Sequence, residues 1–316
     1  MNSIARSFQS KILLFGEYGL MHDAMALSIP FQAFEGKLSF PEPNSIQPHM
    51  EESNGQLKQY AIHLSKLISE DRLIFIFDIE SLFEDLDRGM YFESSIPQGF
   101  GVGSSGALVA ALYDQYALEK IPNDKAINLN QRLRLKESLA IMESYFHGKS
   151  SGTDPLICYL SRPMLIQSKT NISPVGLPEP NQDGKGAIFL INTGKPGKTQ
   201  PLVNLFLEKC KEEGFLRVVK HEMIPFSDNC IKAFLKGEAN ELFTNLKELS
   251  HVILEWLNPM IPPKFRKLWK QGLETEAFYL KLCGSGGGGY ILGFTEDLEK
   301  AQKALGKQKI EVIRRF

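Results

Sequence analysis

Residues 97–108 read Pro97-Gln98-Gly99-Phe100-Gly101-Val102-Gly103-Ser104-Ser105-Gly106-Ala107-Leu108. Glycines at 99, 101 and 103 let the backbone turn tightly and approach a ligand with no side chain in the way. Behind them Leu108, Leu112 and Tyr116 recur every four residues, one face of a helix expected over 105–118. A helix start presents unpaired N–H groups and about half a positive charge. Loop and helix together make an anion site suited to phosphate.

The totals fit a soluble globular protein. A chain of 316 residues suggests about two domains. A net charge of -1 gives no bulk attraction for nucleic acid or an anionic membrane. No signal peptide is evident near residues 1–9, and no apolar run is long enough to span a bilayer, so a cytoplasmic location is expected. Cys158, Cys210, Cys230 and Cys283 are scattered, with no Cys-x-x-Cys pair, and read as reduced thiols.

Strands are expected at 11–15, 25–31, 73–79 and 89–95, with a polar loop at 42–56 and a helix at 57–68. A second long helix over 130–146 carries Leu135, Leu139, Met142 and Phe146 as its buried stripe and ends at Gly148. A tight loop at 149–155 and strands at 157–160 and 163–167 follow. The stretch 169–185, rich in Pro, Asn and Gly, places a domain boundary near residue 182, giving halves 1–181 and 182–316. Beyond it come a strand at 187–192 and helices at 201–213, 228–236, 239–257 and 264–275. Strands at 278–282 and 290–294 flank Gly284-Ser285-Gly286-Gly287-Gly288-Gly289, and a helix at 296–305 and a strand at 309–314 close the chain. Strand-rich and helix-rich stretches without regular alternation make this an α+β protein.

Several motifs compete for the chemistry. Gly101-Val102-Gly103-Ser104-Ser105-Gly106 matches the dinucleotide fingerprint, but no apolar strand precedes it and Asn123-Asp124-Lys125 stands where a second strand should be. Gly148-Lys149-Ser150-Ser151-Gly152 matches a hydrolase nucleophile elbow, yet it follows a helix where the elbow needs a strand. It fails as a P-loop because Glu143 occupies the first glycine position. Glu143 and His147 share one helix face, with Asp154 just beyond. They read either as a metal-and-base pair or as a solvated pair and a turn aspartate. Lys11, at the start of an apolar strand, either snorkels to solvent or is a fixed charge aimed into a site. Five glycines in the six residues 284–289, between two apolar strands, point to close approach of backbone to a ligand or to another loop.

Three separated motifs together resemble the GHMP kinase family of small-molecule kinases. They are Lys11-Ile12-Leu13-Leu14-Phe15-Gly16-Glu17-Tyr18-Gly19-Leu20, the loop from Pro97 to Ser105, and Lys281-Leu282-Cys283-Gly284-Ser285-Gly286-Gly287-Gly288-Gly289. Within the family, His22 after Gly16-Glu17, and the Glu143-to-Asp154 segment with His147-Gly148, are most similar to the branch that phosphorylates mevalonate. The resemblance implies a ribosomal-protein-like α+β domain followed by a ferredoxin-like α+β domain. It implies ATP and Mg²⁺ as cofactors and a small alcohol as acceptor, and a homodimer is among the assemblies it allows. By the same resemblance Asp154 takes the proton of the alcohol and Lys11 stabilises the alkoxide and the transferring phosphoryl. Ser105 and Glu143 hold magnesium. Pro97, Gly99, Gly101, Gly103, Ser104, Ser105 and Gly106 cradle the ATP phosphates, and Glu17, His22, His147, Thr199 and Gly286 surround the acceptor. Ser10, Tyr18, Val102 and Gly106 depart from the family's common residues, and none of them removes a catalytic group. The alternative from another class, a silent nucleotide sensor, is disfavoured by the joint presence of Lys11, Ser105, Glu143 and Asp154.

Overall fold

The structure, a computed structural model, describes residues 6–42, 45–123, 127–148 and 150–316, and only the backbone of His147. In chain order the first half runs β1 (Phe8–Phe15), β2 (Ala26–Ser39), α1 (Pro48–Ser69), α2 (Ile79–Asp87), β3 (Tyr91–Ser94), α3 (Ser104–Tyr116), α4 (Leu129–His147), α5 (Thr153–Leu160), β4 (Met164–Ser168) and β5 (Asn171–Pro174). The second half runs β6 (Ala187–Asn192), α6 (Thr199–Lys209), α7 (Glu213–Val218), α8 (Ile224–Lys236), α9 (Ala239–Trp256), α10 (Arg266–Thr275), β7 (Tyr279–Leu282), β8 (Tyr290–Thr295), α11 (Leu298–Leu305) and β9 (Ile310–Arg315). The α+β class therefore holds. One sheet has the order β1-β2-β4-β5 with β3 on β2, and the other has the order β7-β8-β6-β9.

Two compact units emerge, both discontinuous. The first contains Met1–Lys11, Pro30–Pro97 and Gly103–Arg162, and the second Ile12–Ile29, Gln98–Val102 and Pro163–Phe316.

In the first unit α3 is buried on almost every side, including Ala107, Val109, Ala110, Ala111, Leu112 and Tyr113. It packs tightly on α5: a Cβ at Gly106 would lie 3.0 Å from the Asp154 carbonyl carbon and from Pro155 N. The expected strand at 157–160 is a helix. Gly152, at a left-handed φ of +71°, starts α5, and Pro155 falls in its first turn, where a missing N–H costs nothing. Ile157, Cys158, Tyr159 and Leu160 are all buried, which erases the helical periodicity from the sequence. The expected loop at 149–155 is correspondingly shorter, because Thr153, Asp154 and Pro155 belong to the helix.

Three other expectations are corrected in this unit. Residues 73–79 form no strand; Phe77 makes one isolated bridge to Ala117, and Asp78 then caps α2, its Oδ1 accepting from Ser81 N at 3.0 Å. The first part of α1, residues 48–56, lies in the stretch expected as loop, because Pro48 sits at its first turn and nucleates it. β2 extends eight residues past 31 and pairs antiparallel with β3 over Gly36–Ser39. The helix at 130–146 is α4, closed at its start by a capping box in which Asn128 and Gln131 hydrogen-bond reciprocally; Leu135, Leu139 and Met142 are buried, whereas Phe146, expected in the same stripe, is exposed near the helix end.

In the second unit β6 is one of the two inner strands, antiparallel to β8 and β9, with Ala187 to Ile191 buried. Trp269 of α10 is fully buried and donates its indole N–H to Ser250 Oγ of α9 at 2.8 Å. The expected helix at 201–213 is shorter and is followed by α7. One π-helical turn, Val219–Met223, carries the chain into α8, which starts earlier than expected. All four cysteines are free thiols. Among the described residues no helix is long and apolar enough to cross a membrane.

Candidate active site

Gly99, Gly101 and Gly103 all have positive φ, between +76° and +85°, which other residues rarely adopt. The loop's first part is clamped within the second unit. Gly197 N donates to Gly99 O at 2.7 Å and Tyr290 N to Phe100 O at 3.3 Å, and a Cβ on Gly101 would meet the Cys283 carbonyl oxygen at 2.5 Å. Pro97 precedes this part. The loop ends at Ser104, where α3 starts behind Gly103, a cap residue with no side chain to engage the first N–H groups. Ser104, Ser105 and Gly106 therefore present backbone donors at a helix start, the arrangement that binds phosphate.

The first unit gathers four of the expected side chains. Lys11 Nζ lies 2.8 Å from Asp154 Oδ2; the lysine is 3% exposed and the aspartate 39%. Gly103 makes this possible, because a Cβ there would stand 2.8 Å from Lys11 Cγ. The snorkelling alternative for Lys11 is thereby excluded. Asp154 sits in the first turn of α5, and Cys158, one turn on, directs its thiol at Gly103 O, 3.8 Å away. Ser105 Oγ donates to Glu143 Oε1 at 3.0 Å, and Ser150 Oγ donates to Oε2 at 2.5 Å.

Glu143 is 3% exposed. Burial, reinforced by the charge of Asp154, pushes its carboxyl up to about 7 against the pull of the two hydroxyls and Lys11. An ordinary glutamate in the unfolded chain releases its proton near pH 4.3. Between those values the folded protein holds a proton that the unfolded chain has lost. Stability therefore falls as pH rises from about 4 toward 7 and stays lower above it. Glu143→Gln mimics the protonated form. Without metal its advantage over wild type is expected to be small at pH 5 and larger at pH 8, as thermal unfolding in EDTA would report. A wild-type advantage at pH 8 would contradict the raised pKa.

Ser105 and Glu143 are a chemically sensible pair for magnesium, which takes hard oxygen ligands at about 2.0–2.1 Å in an octahedron. Adjacent ligands in such an octahedron lie about 2.8–3.0 Å apart, and Ser105 Oγ and Glu143 Oε1 are separated by 3.0 Å. Among the described residues no group of three or more His, Cys, Asp and Glu could hold a metal. The two oxygens would thus share the ion with phosphates and water.

A second cluster lies within the second unit. Glu17 and Lys281 form a buried ion pair. Lys281 also donates to Leu282 O at 2.8 Å and lies 5.7 Å from the Phe15 ring centre. Tyr18, at a left-handed φ of +60°, donates its hydroxyl to Ser285 O at 2.7 Å and stacks on Phe206. Burial, with the charge of Glu17 second, raises its phenol pKa. Thr199 opens α6, and Ser285 Oγ donates to its Oγ1 at 3.3 Å. His22 Nε2 is 3.6 Å from Cys210 Sγ; burial, then Lys220, lowers its pKa. Gly286 has φ +78°, and a Cβ there would meet the Met260 carbonyl oxygen at 2.5 Å.

The expected residues thus fall into two groups. Lys11, Gly103, Ser104, Ser105, Gly106, Glu143 and Asp154 gather in the first unit. Glu17, His22, Gly99, Gly101, Thr199 and Gly286 belong to the second. His147 is the last residue of α4, and its side chain lies outside the described residues. Sequence reasoning gave no role to Lys281 or Ser150. A lysine inside an apolar strand was the available signal for the first, and the second surfaced only as the central serine of the rejected nucleophile-elbow match.

The family model for the GHMP kinases N terminal domain matches residues 71–162, and that for the GHMP kinases C terminal matches residues 230–309. No curated protein matches the sequence. The solved structure of L. major mevalonate kinase in complex with R-mevalonate is similar with a TM-score of 0.63 at 16% identity, covering 98% of this chain and 95% of that one. The Streptococcus pneumoniae phosphomevalonate kinase in complex with phosphomevalonate and AMPPNP has a TM-score of 0.62 at 15% identity, covering 98% and 100%. The Lactococcus lactis galactokinase complexed with galactose has a TM-score of 0.61 at 12% identity, covering 99% and 94%. At these identities the structures speak for the fold.

Proposed function

Because the chain belongs to the GHMP kinase family of ATP-dependent small-molecule kinases, we propose that it phosphorylates the primary hydroxyl of mevalonate, giving 5-phosphomevalonate. The observation that carries this reading is the pairing of Lys11 with Asp154 in the unit that also holds Ser105 against Glu143. The start of α3 and the glycine loop bind the triphosphate through backbone N–H groups. Asp154 accepts the proton of the acceptor hydroxyl at its carboxylate oxygen. Lys11 Nζ stabilises the alkoxide and the negative charge that spreads over the transferring phosphoryl. Magnesium, held by Ser105 and Glu143, would neutralise phosphate charge. Glu17, His22, His147, Thr199 and Gly286 are assigned to the acceptor. The proposal keeps the domain boundary near residue 182, and the two matched family segments fall on either side of it.

A second reading, phosphomevalonate as acceptor, has one observation in its favour. Second to burial, the charge of Lys220 lowers the pKa of His22, so a cation acts on one proposed acceptor residue. A coupled assay with ATP, Mg²⁺ and mevalonate, phosphomevalonate, homoserine or galactose separates the readings. Turnover is expected to be highest with mevalonate. A preference for phosphomevalonate would replace the acceptor, and no turnover with any of the four would favour a nucleotide sensor.

A further inference from the structure

We propose that Ser150 is a positioning residue for the divalent cation, fixing the Glu143 carboxylate so that one oxygen is presented together with Ser105. The inference rests on the metal reading of Ser105 and Glu143. The terminal torsion of a glutamate is broad, so a carboxylate held at one oxygen can still swing. Glu143 is held at both: Ser105 engages Oε1 and Ser150 engages Oε2.

The Ser150 hydroxyl is itself oriented. Its oxygen accepts the Gly152 N–H at 2.9 Å, which commits its single proton to Glu143. Gly152 in turn is pressed against α4, where a Cβ would come 2.1 Å from Lys136 O. The helix that carries Glu143 therefore also places the hydroxyl that orients it. With Oε2 tethered, Oε1 keeps the 3.0 Å spacing to Ser105 Oγ that an octahedral ion needs. If Ser150 served only to close its turn, its loss would lower stability and leave metal affinity alone.

The test is Mn²⁺ binding to the full chain with a non-hydrolysable ATP analogue, read by electron paramagnetic resonance, for wild type, Ser150→Ala, Ser150→Thr and Ser105→Ala. Melting temperature and metal-free nucleotide affinity are measured alongside. Loss of a group that orients a metal ligand typically weakens binding by about 10–100-fold. Ser150→Ala is expected to weaken Mn²⁺ binding by about that factor with metal-free nucleotide affinity unchanged, and Ser150→Thr, which keeps the hydroxyl, is expected to restore it. Where the alanine variant does not fold, Ser150→Cys, with its weaker donor, should show the same selective loss. Wild-type Mn²⁺ affinity in Ser150→Ala, with Ser105→Ala weakened, would overturn the positioning role and leave the metal reading standing. Wild-type affinity in Ser105→Ala as well would overturn both.

Discussion

Asp154→Asn is expected to bind nucleotide as wild type does and to lose on the order of 10²–10⁴-fold in kcat. The amide keeps the shape of the carboxylate but cannot accept a proton from an alcohol. The proposed phosphate cradle is untouched, because it would be made of backbone at the glycine loop and the start of α3. The substitution also removes the charge opposite Lys11, which is 3% exposed. Breaking a fully buried pair costs about 3–5 kcal/mol. Asp154 is 39% exposed, so water screens part of that loss and the variant should remain folded. Steady-state kinetics with nucleotide titration checks this, the expected pattern being a fall in kcat at constant nucleotide affinity. Normal turnover in a folded variant would remove Asp154 from the role of base.

Lys11→Met separates catalysis from folding more sharply. It replaces a buried ammonium by an apolar side chain of similar length, and removing one partner of an ion pair is strongly destabilising only where the charge left behind stays buried. The residue left behind, Asp154, reaches solvent. Activity, by contrast, loses the fixed cation at the transferring group, an effect of about 10²–10³-fold or more for one preorganised donor. The expected result is a melting temperature near wild type with kcat reduced by at least that factor. Lys11→Arg should not rescue it. The lysine stem passes where a Cβ on Gly103 would lie 2.8 Å from Cγ, too narrow a path for a planar guanidinium. A large loss of stability with kcat intact would mean that Lys11 serves structure.

Much of the proposed site was legible because its residues had to be unusual. A backbone held at positive φ calls for glycine, so the loop at 99–103 announced itself. α4 was found nearly residue for residue, because Leu135, Leu139 and Met142 mark one buried face and Gly148 marks its end. α5 was missed for the opposite reason. Burial on all sides leaves a short apolar run that fits strand and helix alike, and only its contact with α3 decides between them. The stretch 73–79 has strand composition, yet Phe77 finds only one bridge, and composition without a partner does not make a sheet. Ser150 and Lys281 act through partners 7 and 264 residues away, and no local pattern encodes such pairings.

That last separation also orders events during synthesis. The second unit takes residues 12–29 from near the start of the chain and the rest mostly from 163 onward. Glu17 must wait for Lys281, 264 residues later. At about 5–20 residues per second, that interval is roughly 10–50 s. Throughout it the first motif carries a carboxylate without its ammonium and a Tyr18 without Ser285 to accept its hydroxyl. The segments of the first unit are all made by residue 162. Its ion pair of Lys11 and Asp154 can therefore form on the ribosome well before the second unit has its last strand, β9, to pair with β6.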